Sequence, residues 1–166
     1  MINKLESIHK RGIGKEHPKS PLIQFSAAII FFLIWILDSF ILNFSTGFSN
    51  YIPFILRLIL GLILLTIGCV LIFGTGHILF HKEHKNSELI TTGIFAHTRH
   101  PLYLGVLIIY LSFILFTISL ISLIGWIIVI ILYDRLASFE EKDLEEIFKE
   151  KYLEYKKKVP KWIPKI

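Results

Sequence analysis

Three apolar runs dominate the chain, separated by short polar stretches. The first, 22–42, is 21 residues long, with Gln24 and Asp38 as its strongly polar members. The second, 53–80, opens on Pro53, where a missing backbone N–H does no harm, and is interrupted by Arg57 and His77. Each is long enough for a helix of about 20 residues to cross roughly 30 Å of hydrocarbon. The third, 102–133, carries no charge over 32 residues. As one helix it would be ~48 Å long, too long for an ordinary crossing. It is therefore predicted to break near 117–122, where serines can satisfy freed backbone groups, giving two short helices in a tight hairpin. Beyond Asp134 the apolar residues Leu136, Phe139, Leu144, Ile147, Phe148, Tyr152 and Tyr155 recur at three- and four-residue steps. That spacing predicts an amphipathic helix, which Pro160 and Pro164 then stop.

The expectation is an all-α integral membrane protein of about four transmembrane helices, at about 22–42, 53–80, 102–117 and 120–137. A flexible or surface-lying segment, 1–21, precedes them, and a cytoplasmic amphipathic tail, 138–166, follows; together they form a single domain, 1–166. Composition agrees: 54% of the 166 residues are hydrophobic and 19% charged, against roughly 45–50% and a quarter in soluble domains. A disordered, collagen-like or disulfide-stapled chain is excluded, since the one cysteine, Cys69, cannot form an internal bridge. The net charge of +5 reads as topology and not as affinity for nucleic acid, because the charges avoid the apolar runs. Residues 1–21 hold five Lys/Arg, the 43–52 loop none, the 81–101 loop three, and the tail from Asp134 nine. Four crossings place all three basic stretches in the cytoplasm, as the positive-inside bias requires; three would put the Lys156–Lys158 cluster outside. The first apolar stretch is too long for a secretory signal and lacks a small-residue cleavage site, so it is expected to be retained.

Several polar residues ask for a reason. Arg99-His100-Pro101 stands directly before an uncharged run. It reads either as a snorkelling arginine and a proline helix start, or as donors offered to an anion at a helix N-terminus. Leu136, Glu140 and Leu144 are four apart, so Glu140 interrupts an apolar face, where a carboxylate needs a cation or donors unless it sits in a solvated acidic turn. Arg135 could pair with Glu140 or bind a substrate anion. His77, His81 and His84 could share one helical face with His97 and His100 nearby, but no HExxH motif accompanies them and no metal is expected. Gly74-Thr75-Gly76 is a bare GxG, better suited to close helix approach than to a phosphate. Asp38 and Arg57, both towards the outer ends of their spans, are expected to pair with one another or to snorkel.

The segment ELITTGIFAHTRHPLYLG, one hydrophobic hairpin, and then EEKDLEEIFKEKYLEYKKKVPKWIP together resemble the isoprenylcysteine carboxyl methyltransferase family, and more distantly the membrane phospholipid methyltransferases. The resemblance covers the C-terminal half from near His81. It rests on a Leu-Ile-Thr-Thr-Gly turn, an Arg-His-Pro-Leu-Tyr helix start, the Glu140-Glu141 pair, and the Tyr152–Tyr155 spacing before Val159-Pro160. It implies methyl transfer from S-adenosyl-L-methionine, with S-adenosyl-L-homocysteine as product, at the cytoplasmic face of the membrane by a helical fold without a glycine-rich nucleotide motif. By position it implies that Leu89, Ile90, Phe95, His100, Pro101, Leu102 and Tyr103 line the cofactor pocket, that Glu140 and Glu141 close it from the tail, and that His81 contributes across an alignment gap. The family's substrate arginine falls one position from Arg135. Phe95 stands where the family has tyrosine, and Lys149 where it has the glycine of FGxxY. On this reading Arg99 and His100 hold the cofactor's carboxylate, Glu140 accepts from its polar groups, and Arg135 orients an anionic acceptor.

The implied acceptor is lipophilic and enters sideways from the bilayer among the membrane lipids, with no nucleic acid involved. A prenylcysteine-type carboxylate is favoured by the Arg-His-Pro signature, and a phosphatidylethanolamine amine is the alternative. The Lys- and Ile-rich chain fits a prokaryotic plasma membrane, where prenylated proteins are not expected. A non-enzymatic scaffold whose charged tail binds a protein or anionic lipid is the reading from a different class.

Overall fold

The computed structural model describes residues 20–82 and 89–164, with the backbone alone for 80–82; the side chain of His81, expected in the pocket, and all of His84, considered as a metal ligand, lie outside what is described. Every regular element among the described residues is helical. Helix α1 spans Ser20–Ile36 and runs into a π-helical turn, Leu37–Leu42. A 3-10 turn, Gly47–Tyr51, leads to α2, Phe54–Lys82. After a second 3-10 turn, Gly93–Ala96, come α3, Pro101–Thr117, α4, Leu120–Phe148, and α5, Glu150–Lys158. Three helical stretches, Ser20–Leu42, Phe54–Leu79 and Leu120–Phe148, are long and apolar enough to cross a membrane, and Pro101–Thr117 is a shorter apolar helix. Many large apolar side chains of α1 and α2 are exposed, as expected of surfaces that meet lipid tails and not water.

Helices α2 and α3 make the most extensive pairing, and glycine permits it. A Cβ on Gly68 would stand 2.8 Å from the carbonyl oxygen of Gly105, and one on Gly105 would stand 3.0 Å from that of Gly68. Without a strong hydrophobic drive between helices in lipid, close backbone approach is what makes dispersion contacts available. On the other side of α3, Phe31 of α1 stacks on Tyr110 at 4.3 Å, and Trp35 donates its indole N–H to the carbonyl of Phe113 and the hydroxyl of Thr117.

The break in the third apolar run falls at Ile118, which takes the left-handed conformation with φ 53°. Ser119 then caps α4 by accepting from the Ser122 N–H at 3.1 Å. Asp38 is buried beside this turn and accepts from Ser119 Oγ at 2.5 Å, Ser45 Oγ at 2.5 Å and Ser45 N–H at 3.0 Å. Arg57 donates to the carbonyls of Ile52 and Phe116, the latter at the negative end of α3. The pairing of Asp38 with Arg57 is thus corrected. Each found local partners, Asp38 the serine hydroxyls of two turns and Arg57 the exposed carbonyls at a helix end.

Two boundaries also differ from expectation. Helix α4 continues through 138 into the acidic tail without a break. The tail helix is broken at Lys149, whose φ of 49° and ψ of −123° belong to glycine's range, and resumes as α5, which ends at Lys158 ahead of Pro160.

Two predictions concern this architecture. Gly68→Ala forces α2 and α3 apart and lowers stability in detergent by about 1–3 kcal/mol, read as a lower Tm. Lys149→Gly relieves the left-handed strain and raises Tm, by about 1 kcal/mol of stability; a fall in Tm would contradict the assigned backbone.

Candidate functional site

Pro101, fully buried, starts α3 and needs no donor there, and the preceding Thr98 and His100 are buried with it. His100, 7% exposed, brings Nε2 within 3.1 Å of Glu141 Oε1, while its Nδ1 lies 3.8 Å from Glu140 Oε2. Tyr103, one turn along α3, donates to Glu140 Oε1. Gln24 and Ser20 of α1 approach the Tyr103 hydroxyl at 3.3 and 3.4 Å. Residues from α1, α3 and α4 therefore converge on one polar cluster, although 37 positions separate Tyr103 from Glu140.

The acidic doublet divides its work. Glu141 is 5% exposed and points inward with Leu136 and Ala137, whereas Glu140 is half-buried. Glu141 meets Arg99 Nη2 at 2.8 Å, Arg99 Nε at 3.0 Å, His100 at 3.1 Å and Lys156 Nζ at 3.3 Å. Arg99 also donates to the carbonyls of Lys156 and Val159 at 3.1 and 2.6 Å, where a cation suits the end of α5. The chain beyond α5 is fixed by Arg99 N–H to Pro160 O at 3.0 Å and by Thr98 Oγ1 to Lys161 O at 3.0 Å. Lys161 and Trp162 then reach Asp134 on α4 at 2.5 and 3.0 Å. The tail is a strap drawn across the cluster.

Against α5 lies a cleft of about 140 Å³, lined by Leu79, Leu89, Ile90, Phe95, Arg99, Leu144, Tyr152 and Tyr155. That volume is below the roughly 300–1,000 Å³ of whole ligand sites and suits one ring system of a larger molecule. Tyr155 donates to the Phe95 carbonyl at 2.6 Å, holding the 3-10 turn against α5. The structure brings Leu89, Ile90, Phe95 and Arg99 to the cleft, and His100, Tyr103, Glu140 and Glu141 to the adjoining cluster. Leu102 is half-buried on α3.

Arg135 is not brought to either. It lies on the exposed stripe Ile131, Arg135, Phe139, Lys142 of α4, about 120° around the helix from Glu141. Sequence patterns did not single out Tyr152, Tyr155 and Lys161 as site residues. The first two were visible as apolar-face positions and as part of the family-like ending before Val159-Pro160, and nothing in one sequence tells a tyrosine facing a cleft from one packed in a core.

Burial holds the His100 pKa below its usual value; the Glu141 contact opposes this and the nearby Lys161 and Arg99 charges reinforce it. The imidazole is therefore neutral at pH 7, with Nε2–H donating to Glu141.

Comparison with known proteins adds independent findings. Residues 56–151 match the family described as phospholipid methyltransferase. The chain is similar to the protein-S-isoprenylcysteine O-methyltransferase of Saccharomyces cerevisiae, 30% identical over 167 residues, covering 95% of this chain and 68% of that protein. With the enzyme of the same name from Schizosaccharomyces pombe it is 34% identical over 91 residues, covering 54% of this chain and 39% of that one. With that of Xenopus laevis it is 27% identical over 155 residues, covering 77% and 54%. No solved structure gives a significant match.

The depressed His100 pKa has a pH consequence. Below about 6.5 the unfolded chain takes up a proton on this residue that the folded protein resists. Stability is then lost as pH falls from 6.5 towards the folded pKa. Tm in detergent should drop between pH 7 and 5.5, and His100→Gln should flatten that part of the profile.

Proposed function

Because the chain belongs to the family of isoprenylcysteine carboxyl and phospholipid methyltransferases, we propose that it transfers a methyl group from S-adenosyl-L-methionine to a lipophilic acceptor, a prenylcysteine-type carboxylate. The observation that carries this reading is the meeting of the Arg99-His100 stretch and the Glu140-Glu141 pair at hydrogen-bond distance, beside a cleft with apolar walls. The donor set fits the cofactor: a half-buried carboxylate at Glu140 for its ammonium or hydroxyl groups, apolar walls for its base, and an orphaned buried hydroxyl at Tyr152. When bound, S-adenosyl-L-methionine supplies an electrophilic methyl group on a positively charged sulfur.

The residues of the chain then have to position and to exclude water. Leu89, Ile90 and Phe95 form the dry wall, and Glu140, fixed by Tyr103, presents acceptor oxygens. Arg99 acts as a positioning residue: its contacts are with Glu141 and the strap, so it fixes the shape of the site and leaves ligand contact to its neighbours. A carboxylate acceptor is already anionic at neutral pH, so no side chain needs to take a proton. An anionic acceptor arriving from the bilayer is proposed to meet Arg135 on the outward stripe of α4.

The membrane arrangement belongs to the same proposal. The chain forms one domain with four crossings, α3 and α4 making the last two, and both termini and the site are cytoplasmic. Starting from Leu120, about 20 residues carry α4 across the hydrocarbon, which brings Glu140 to the inner boundary. A second reading, N-methylation of phosphatidylethanolamine, is favoured by the neutral His100, which could receive the proton an amine must lose.

Titration of the detergent-purified protein with S-adenosyl-L-homocysteine, by calorimetry or thermal shift, tests the proposal. Binding is expected, weakened about 10–100-fold by Glu140→Gln, which removes a charged hydrogen-bond acceptor, and also weakened by His100→Ala. Folded wild-type protein that ignores the ligand would refute the enzyme reading. Methylation of a farnesylcysteine analogue but not of phosphatidylethanolamine identifies the carboxylate acceptor, and the opposite outcome identifies the amine.

A further inference from the structure

Ser20, Ala27 and Phe31 form the buried stripe of α1, and Gln24 lies on the same stripe, half-buried, one turn from Ser20. On the flanking faces Leu22, Phe25 and Ile29 are exposed, as lipid-facing side chains are. An apolar residue at 24 would pack without a desolvation cost, so a polar side chain turned into an apolar bundle asks for a use. The Gln24 amide nitrogen donates to Ser20 Oγ at 2.9 Å and to the Tyr103 hydroxyl at 3.3 Å. The Tyr103 hydroxyl in turn donates to Glu140 Oε1.

The direction of these bonds follows from what each group can do. An ionised carboxylate only accepts, so the single hydroxyl proton of Tyr103 goes to Glu140. A further group that bonds to that hydroxyl must then donate, and an amide nitrogen, with two hydrogens and no acceptor capacity, does only that. With the phenol proton committed to Glu140, the Ser20 hydroxyl, 3.4 Å from Tyr103, is likewise the donor. Two donors on α1 thus direct one proton on α3 towards a carboxylate on α4, and bonds in such a chain strengthen one another where the dielectric is low. We infer that Gln24 is a positioning residue of the site: it aims the Tyr103 hydroxyl at Glu140 and so holds the carboxylate that receives the cofactor. The inference rests on the reading above that Glu140 accepts from S-adenosyl-L-methionine. It brings α1 into a site whose family match begins at residue 56 and whose motifs all lie in the C-terminal half.

Calorimetric titration of the full-length protein in detergent with S-adenosyl-L-homocysteine provides the test. Gln24→Met keeps the length of the side chain and removes the donor. It should weaken binding about three- to tenfold, the effect of one neutral hydrogen bond. In a Tyr103→Phe background there is no hydroxyl to aim, and Gln24→Met should change affinity by less than about twofold. Gln24→Glu sets an acceptor against the phenol and should weaken binding more than Gln24→Met does, which tests the assignment even where the Tyr103→Phe protein binds too weakly to titrate. The same loss from Gln24→Met in both backgrounds would make Gln24 a structural residue of α1 and overturn the inference. Gln24→Glu binding as tightly as Gln24→Met, or more tightly, would overturn it too. Folded wild-type protein that ignores the ligand overturns this inference and the cofactor reading together. Wild-type binding that Gln24→Met leaves unchanged overturns this inference alone.

Discussion

The Glu141 carboxylate, gripped by Arg99 and His100, is the constraint on which the rest of the site depends. A carboxylate 5% exposed would be strongly disfavoured alone, and removing one partner of such a group is typically costly, about 3–5 kcal/mol. Its net contribution to stability is another matter, since desolvating the charges offsets much of their attraction. What the pair gives is position. Trp162 of the strap packs against the apolar cluster that holds Tyr103 of α3 and Leu136 and Ala137 of α4, and the polar contacts add to that packing. One guanidinium reaching Glu141, Lys156 O and Val159 O ties the turn before α3, the far end of α4 and the strap after α5 into a single body. Its planar array of donors can serve a carboxylate and two carbonyls together, a geometry that a lysine ammonium could not supply.

At the opposite end of the bundle a different solution appears. Asp38 and Arg57 are both charged and both near a membrane boundary, yet they are not partners. Serine hydroxyls satisfy Asp38, and helix-end carbonyls satisfy Arg57. Each charge therefore pins a turn: Asp38 ties the 43–52 loop to the start of α4, and Arg57 ties α2 to the end of α3. The middle of the bundle relies on glycine and aromatic packing, and polar groups concentrate at the two ends. That distribution leaves the central surfaces apolar enough for lipid while each end is individually fixed.

Much of this was legible in the sequence because hydrophobic runs and helix breakers act locally. The long apolar stretches and the break near 117–122 follow from length and from the serines alone. The convergence of Arg99-His100 with Glu140-Glu141 was anticipated through the family resemblance, not through spacing. What sequence did not yield depends on three-dimensional choice of partner. Helical spacing put Glu140 on the apolar face; the packed rotation of α4 instead buries Glu141 more deeply and half-buries its neighbour. The end of α4 at Lys149 was hidden because lysine does not advertise a left-handed backbone, although glycine in the family pattern pointed to the position. The unmet hydroxyl of Tyr152 could not be read at all, since an unpartnered group is defined by everything around it.

On the proposed function, the two reactants come from different phases, and the fold separates their approaches. The cleft lies against α5, among Leu89, Phe95 and Tyr152. The outward stripe Ile131, Arg135 and Phe139 lies on another face of α4, where an apolar chain can lie along the helix with an anionic head at Arg135. Between these faces stand His100, Tyr103 and Glu140, on the helices that both approaches share. A buried, neutral imidazole and a fixed carboxylate at that boundary keep the region ordered without placing a mobile cation beside a positively charged sulfur. On that proposal, the pairing with Glu141 also neutralises Arg99, whose bare guanidinium would repel a positively charged sulfur.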